Sequence, residues 1–561
     1  MRIFLRCESQ RSQVRPVGDT LGDTFMRTRF AFAALACLVA SCGQHVAIPD
    51  AQQGDAQDDR PDVVQRDVGD DVQGTNLPNG SICNSDSQCE SHICVLSPDL
   101  TPGCAAPCMV DDDCMGQGVG VYCAVDRSPA GGRLVCAAID GGASGYEGDI
   151  CTVDHDCISD LCLGNVCHSP CSADDQCTPG SRCVMQTVSG GQIRACGYNA
   201  ITGPVVEDYT VFDTTQFVDR GPNSFFVVPD DVVSLTFIAQ DMEGSNLYAS
   251  VPSLVPPDGT PWIDSMTWNG VTDQPVREIL GAYQINSALA PSSDTLQIQH
   301  GQYSVVFTLF NDTAAGTRVQ SRRTRGLVRV KRAPGGMLPA TGTLHMRFFF
   351  VGVSGVNATS APTNSALQRA INGMQSIYSA VGINVVVDGY ADITGADAST
   401  YSVIDSQDEF DQLLTHSSSS TGDVLNLFFV RSVSMSAGLE GAIGVAGDIV
   451  GPPGIHGTIH SGVVVGWDST MGFGGPAVTA QTMSHECGHY LGLWHVQESQ
   501  PGCTSMLASG CSPFHGVDPI TDTPTGRAAG PYLMNWVTND GSNVTLSDGE
   551  GIVMRSSSLV Q

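Results

Sequence analysis

Apolar and polar residues alternate through the middle of the chain. Val233, Leu235, Phe237 and Ala239 fall on one side of an extended segment, as do Tyr303, Val305, Phe307 and Leu309, because successive side chains of a strand point to opposite faces. Turn signals at Pro256-Pro257-Asp258-Gly259 and Asn311-Asp312 interrupt these runs, so residues 200–334 read as an antiparallel β-sandwich. No catalytic constellation occurs there; a prodomain, a substrate-binding module and a spacer are all compatible with it. The period changes after residue 336. Residues 344–351 form an apolar run, Leu367, Ala370, Ile371, Met374, Ile377, Tyr378 and Val381 recur at helical spacing, and 383–387 returns to strand. Further strands over 424–430, 442–449 and 463–465 make 336–561 an α/β domain, a mixed sheet backed by helices.

Before residue 200 cysteines replace the hydrophobic pattern. Cys83, Cys89, Cys94, Cys104, Cys108, Cys114, Cys123 and Cys136 lie in residues 81–140; Cys151, Cys157, Cys162, Cys167, Cys171, Cys177, Cys183 and Cys196 lie in 149–198. Both sets open with gaps of five and four residues, share a central three then five, and close with twelve, which marks an internal duplication. Modules this short bury little core, so about four disulfides should staple each one. Zinc is the weaker reading, because neither repeat contains C-x-x-C. Binding, spacing or a protease-resistant stalk would each suit them. Cys503 and Cys511 flank a short loop and are expected to pair, and 22 cysteines in all point to an oxidising compartment.

Charge narrows the partners. The formal net charge of the 561 residues is -32 with only 26 Lys and Arg, which argues against nucleic acid. Residues 43–80 are acidic and poor in apolar side chains, the composition of a disordered tether. Ahead of them Met26-Arg27-Thr28-Arg29, an apolar run over 30–39 and Val39-Ala40-Ser41-Cys42 resemble a bacterial lipoprotein signal over 26–42, with lipidation at Cys42. Ten apolar residues are too few to span a bilayer, so contact with a membrane is expected only through a lipid anchor. This implies a bacterial cell-surface or outer-membrane lipoprotein, or a secreted protein. Residues 1–25 fit poorly before such a signal, and translation is expected to start at Met26. One basic stretch stands out: Arg318, Arg322, Arg323, Arg325, Arg329, Lys331 and Arg332 crowd the end of the sandwich. It reads either as an exposed loop open to proteolytic processing or as an edge strand with charges facing water.

The chemistry concentrates in His485-Glu486-Cys487-Gly488-His489-Tyr490-Leu491-Gly492-Leu493-Trp494-His495. On a helix His485 and His489 share one face, so both imidazoles can reach one ion. Gly492 can end the helix with positive φ and let His495 approach from another direction. Three neutral nitrogens then suit Zn2+ with an open position for water, and Glu486 stands beside them as general base for peptide hydrolysis. Cys487 points away, in a stripe with Met483 and Tyr490, and reads as a buried thiol. His515 lies outside the motif and reads as a surface residue.

These residues resemble the metzincin metallopeptidases. Asp518-Pro519-Ile520-Thr521-Asp522-Thr523-Pro524, Tyr532-Leu533-Met534-Asn535-Trp536 and the closing 546–555 are similar to the pappalysin-like branch. The resemblance implies that Met534 forms the Met-turn, an apolar floor under the histidines, and that an extended substrate pairs with the edge strand near 442–449. Several metzincins carry a tyrosine two residues after that methionine; here it is Trp536. The expectation is a zinc metalloendopeptidase acting on protein or peptide, with Ca2+ admitted as a further ion. The alternative is a surface adhesion or binding protein with a non-catalytic metallopeptidase-like domain, against which the intact Glu486 speaks.

Overall fold

The computed structural model describes residues 4–6 and, within 76–561, all but short interruptions, the longest at 265–273, 311–320, 435–441 and 497–517. Cys42, most of the acidic tether, Arg318, Cys503, Cys511 and His515 lie outside the described residues. Among those described, no helix is long and apolar enough to cross a membrane.

The cysteine-rich region is fully bridged, four disulfides to each repeat, and every repeat divides again. Cys83–Cys94 with Cys89–Cys104, Cys108–Cys123 with Cys114–Cys136, Cys151–Cys162 with Cys157–Cys167, and Cys171–Cys183 with Cys177–Cys196 form four units. In each, the first cysteine pairs with the third and the second with the fourth. Each unit also contains a single 3-10 turn that begins at an aspartate: Asp86, Asp111, Asp154 or Asp174. That carboxylate accepts a hydrogen bond from the backbone N–H of the unit's third cysteine, at 2.7 Å for Cys94 and 2.9 Å for Cys123, Cys162 and Cys183. The repeating element is therefore C-x-x-D-x-x-C, present four times in the sequence but hidden within the longer eight-cysteine period. Closing loops of this length contributes roughly 3 kcal/mol per bridge, which offsets the small apolar core of each unit.

The sandwich has two antiparallel sheets. One orders its strands Val205–Gln216, Arg322–Arg332, Val232–Asp241, Ile285–Ala290; the other orders Asn223–Val228, Gly301–Phe310, Tyr248–Val255, Ile263–Asp264. Leu235, Phe237 and Ala239 meet Tyr303, Val305, Phe307 and Leu309 in the core between them. Val233 is buried outside that cluster, because the register with the Arg322–Arg332 strand shifts between Val232 and Ser234. A bulge there breaks the two-residue period.

Apart from its edge strand Val205–Gln216, the four-stranded sheet is largely buried on both faces. Its outer face carries Ser234, Ile238, Leu289, Arg329 and Lys331 against the C-terminal domain: Ser234 Oγ donates to Ser556 O at 2.5 Å, and Arg329 donates to Pro453 O at 2.9 Å and pairs with Asp423. Lys331, the sole lysine, donates to the carbonyls of Arg555 and Val560. The described part of the basic stretch, Arg322–Arg332, is thus neither a loop nor an edge strand. It is an interior strand whose Arg329, Lys331 and Arg332 are buried against backbone carbonyls and carboxylates, while Arg323 stays exposed.

In the C-terminal domain the strands Ile383–Ile393, Gly342–Val351, Leu425–Val430 and Val463–Gly466 run parallel, and Ala442–Ala446 lies antiparallel at the edge. Phe4–Arg6 pairs antiparallel with that edge, Phe4 opposite Val445 and Arg6 opposite Ala442. The helix Ser365–Ser379 starts at Asn364, whose side chain accepts from Ala366 N and Leu367 N, and it buries Leu367, Ala370, Ile371, Met374, Ile377 and Tyr378. Its Gly373 lets the helix Gly475–Tyr490 approach closely, since a Cβ there would stand 2.7 Å from Ala480 Cβ. Three further helices, Gly395–Tyr401, Gln407–Thr415 and Trp467–Phe473, are not marked by the sequence periodicity; all are short, and the first buries no residue. The last helix, Asp548–Ser556, is capped reciprocally by Ser547 and Glu550.

Burial, reinforced by the charges of Asp518 and Asp522, pushes the Glu550 carboxyl up to about 8 from an ordinary 4.5. A carboxyl raised in the folded state contributes stability that is complete below pH 4.5 and is lost as pH rises through about 8. Glu550→Gln keeps an acceptor for Ser547 N and removes the charge. It should raise the melting temperature at pH 9 and flatten the decline between pH 4.5 and 8, read by circular dichroism across pH. An unchanged melting temperature at pH 9 would show that this carboxylate ionises without cost.

Candidate metal centre and active site

The helix Gly475–Tyr490 is buried on all sides from Val478 to Tyr490 and has no solvent face. It nevertheless carries Thr479, Gln481, Thr482, Ser484, His485, Glu486 and His489, all fully buried. Burying so many polar groups is costly unless they are paired. Thr482 and Ser484 return their hydroxyls to carbonyls one turn back, at 2.9 and 2.8 Å, and the helix Ser365–Ser379 packed behind, the back helix, adds Tyr378 Oη, donating to Ser484 O at 2.7 Å. The helix ends in a Schellman turn: Gly492, at φ 108°, donates to His489 O and Leu493 donates to Gly488 O, both at 2.9 Å. That turn redirects the chain toward His495.

The three motif histidines converge. Their Nε2 atoms lie 3.0 Å (His485 to His489), 3.1 Å (His485 to His495) and 3.1 Å (His489 to His495) apart. His485 Nδ1 donates to Leu533 O and His489 Nδ1 donates to Leu493 O, both at 2.7 Å. A carbonyl can only accept, so each bond fixes the tautomer and leaves the Nε2 lone pair facing its neighbours. Such lone pairs at this distance repel unless a cation takes them. Ligands about 2.1 Å from one zinc at tetrahedral angles would stand about 3.4 Å apart, so the tripod fits such an ion. Burial, then the neighbouring imidazoles, drive the His489 pKa well below its ordinary value, which favours the neutral ligand form. Among the described residues the other clusters of this kind are cysteine groups within the disulfide-bonded units.

Glu486 is buried against the edge strand. A Cβ on Gly444 would lie 2.6 Å from Thr482 Cγ2 and 2.8 Å from both Glu486 Cγ and Oε1, so the missing side chain at Gly444 makes the space in which Thr482 and the carboxylate sit. Met534 is fully buried under the motif helix, where a Cβ on Gly488 would stand 2.8 Å from its Sδ. The turn around it does more than fill space: Leu533 O orients His485, and Met534 O accepts from Val496 N at 3.0 Å. Asp518 N donates to His495 O at 3.2 Å, and burial pushes the Asp518 carboxyl up to about 6. Cys487 is buried and unbridged, its thiol raised by desolvation; Trp536 is half-buried. Gly444, Leu493 and Leu533 act through backbone or through the absence of a side chain. No motif in the sequence marks them.

The family model Reprolysin_5, Metallo-peptidase family M12, matches residues 353–547, so this domain is of metallopeptidase type. No curated protein matches the chain. Among solved structures, metalloproteinase-II from Bacteroides fragilis is similar at 13% identity over 55% of this chain and 87% of its own, with a TM-score of 0.19. A family two carbohydrate esterase from Cellvibrio japonicus is similar at 9% identity over 42% and 81%, with a TM-score of 0.11. Likenesses this weak carry no argument about fold or activity.

Gly444→Ala should displace Glu486 while leaving the histidines in place. On the peptidase reading proposed below, metal content is expected to stay at the wild-type level while kcat falls about 100-fold, the usual cost of misplacing a general base. Loss of metal together with activity would contradict the assignment of this glycine to Glu486.

Proposed function

We propose that the C-terminal domain is a zinc-dependent endopeptidase, and the observation that carries this reading is the His485, His489 and His495 Nε2 tripod beside the buried Glu486. The three histidines would hold the ion, which supplies Lewis acidity to a water and to the scissile carbonyl. Glu486 accepts the proton of the attacking water and returns it to the leaving amine. The Ala442–Ala446 strand, antiparallel to Val463–Gly466, would offer backbone groups to an extended substrate. Met534 acts as the floor under the helix. The pappalysin-like branch is supported by the Asp518–Pro524 and Tyr532–Trp536 segments and the closing 546–555 alone. The reading of a non-catalytic binding protein is disfavoured by the retained Glu486, because removal of the base is the economical way to silence such a site.

Full-length protein is expected to contain one zinc by elemental analysis and to cleave peptides. Glu486→Ala should keep the metal and lose turnover about 100-fold or more, whereas His495→Ala should lose metal as well. Wild-type protein without stoichiometric zinc would sink the proposal.

We also propose that Cys42 is acylated and that residues 43–75 tether the folded units to a membrane surface; the expected tether ends short of residue 80, because Leu77 and Gly80 already hydrogen-bond within the first cysteine-rich unit. Intact-mass measurement of protein from its native source should show a lipid-modified N-terminal Cys42. A mature chain beginning well before residue 42 would refute it.

A further inference from the structure

We infer that the β-sandwich is a working part of the metal centre, with Arg277 and Leu289 as positioning residues for His495; this rests on the metallopeptidase reading of the site. The motif helix fixes His485 and His489 directly. His495 lies beyond the Schellman turn, three residues past Gly492, where helical hydrogen bonds no longer set its place. Its position therefore depends on what packs around that turn.

Two side chains of the sandwich do so. Leu289 belongs to the strand Ile285–Ala290; its neighbours Ala288 and Ala290 enter the sandwich core, while Leu289 points the other way and is buried in the core of the C-terminal domain. A Cβ on Gly492 would meet Leu289 Cδ2 at 3.0 Å, so Leu289 caps the turn at its tightest point. Arg277 is 5% exposed and places its guanidinium carbon 5.7 Å from the ring centroid of Trp494, itself 3% exposed and adjacent to His495 in the chain. The same guanidinium acts electrostatically on Asp518, whose N–H donates to His495 O at 3.2 Å. Asp294, also from the sandwich, accepts from Thr521 N at 3.0 Å and from its hydroxyl, and so holds the segment that follows Asp518.

A spacer or a removable prodomain has no reason to bury a leucine in the enzyme's own core or to hold a cation over the ring next to the third ligand. The arrangement instead closes the tripod from outside the matched segment 353–547. Binding of zinc, more than folding, is the sensitive quantity, because one ligand in three is set by non-local packing.

The test uses the full chain and measures zinc affinity by chelator competition, alongside thermal unfolding. Arg277→Gln and Leu289→Ala are each expected to weaken zinc binding about tenfold or more, the usual cost of disturbing the groups that orient a ligand. Arg277→Lys, which keeps a cation beside the ring, should recover most of that loss. Ser234→Ala removes an interdomain hydrogen bond at Ser556, outside the groups argued to place His495, and should leave affinity within about twofold. If Leu289→Ala does not fold, Leu289→Val takes its place, with about a threefold loss expected. Affinities within about twofold of wild type for folded Arg277 and Leu289 variants would overturn the inference. So would a loss in Ser234→Ala that matches theirs at equal melting temperature. Wild type that binds zinc but cleaves no peptide overturns only the peptidase reading, and wild type that binds none overturns both.

Discussion

A helix with no solvent face that must still present two imidazoles and a carboxylate is the constraint on which this molecule turns. Such a helix has to be covered on every side, and its polar groups have to be matched where they lie. The back helix covers one side through the close Gly373–Ala480 approach and Tyr378 Oη. The parallel sheet covers another, and the Met534 turn a third. In this dry setting each hydrogen bond to an imidazole Nδ1 also chooses which nitrogen faces the centre. Packing and chemistry are inseparable there: Leu533 O and Leu493 O satisfy the helix's buried donors and at the same time define the tripod.

The same demand for cover explains the sandwich. Its four-stranded sheet has a conventional core on one face and a second interface on the other. The second face is mixed, with Ile238, Leu289 and Leu327 among Ser234, Arg329 and Lys331. Lys331 sits against the carbonyls at the end of the last helix, and burial pulls its pKa down to about 8. The final residues then return to the first strand of the domain, Gln561 N donating to Thr343 O at 3.0 Å. Charges that read as solvent-facing in the sequence thus close the interface between the two domains.

The cysteine-rich units solve a smaller problem by other means. Each has only a handful of buried side chains, most of them the cysteines themselves. Two crossed bridges and one aspartate fix the backbone where a hydrophobic core cannot.

Much of this was legible in the sequence, and the division follows the range of the physics. Local spacing determined the motif helix and the shared face of His485 and His489, since i and i+4 share a helical face wherever the helix sits. It determined the glycine that ends that helix, the strands of the sandwich core, and the number of disulfides, because periodicity and loop closure are properties of neighbouring residues. Val233 marks the limit: a bulge shifts the register with a partner strand far away in the chain, and no local pattern reveals it. The disulfide partners, the vacant side-chain position at Gly444 that admits Glu486, the carbonyls that orient His485 and His489, and the burial of Arg329 and Lys331 were decided only by tertiary structure. Each depends on which distant backbone comes within about 3 Å of a side chain, a distance that hydrogen bonds require and that residue identity along the chain does not encode.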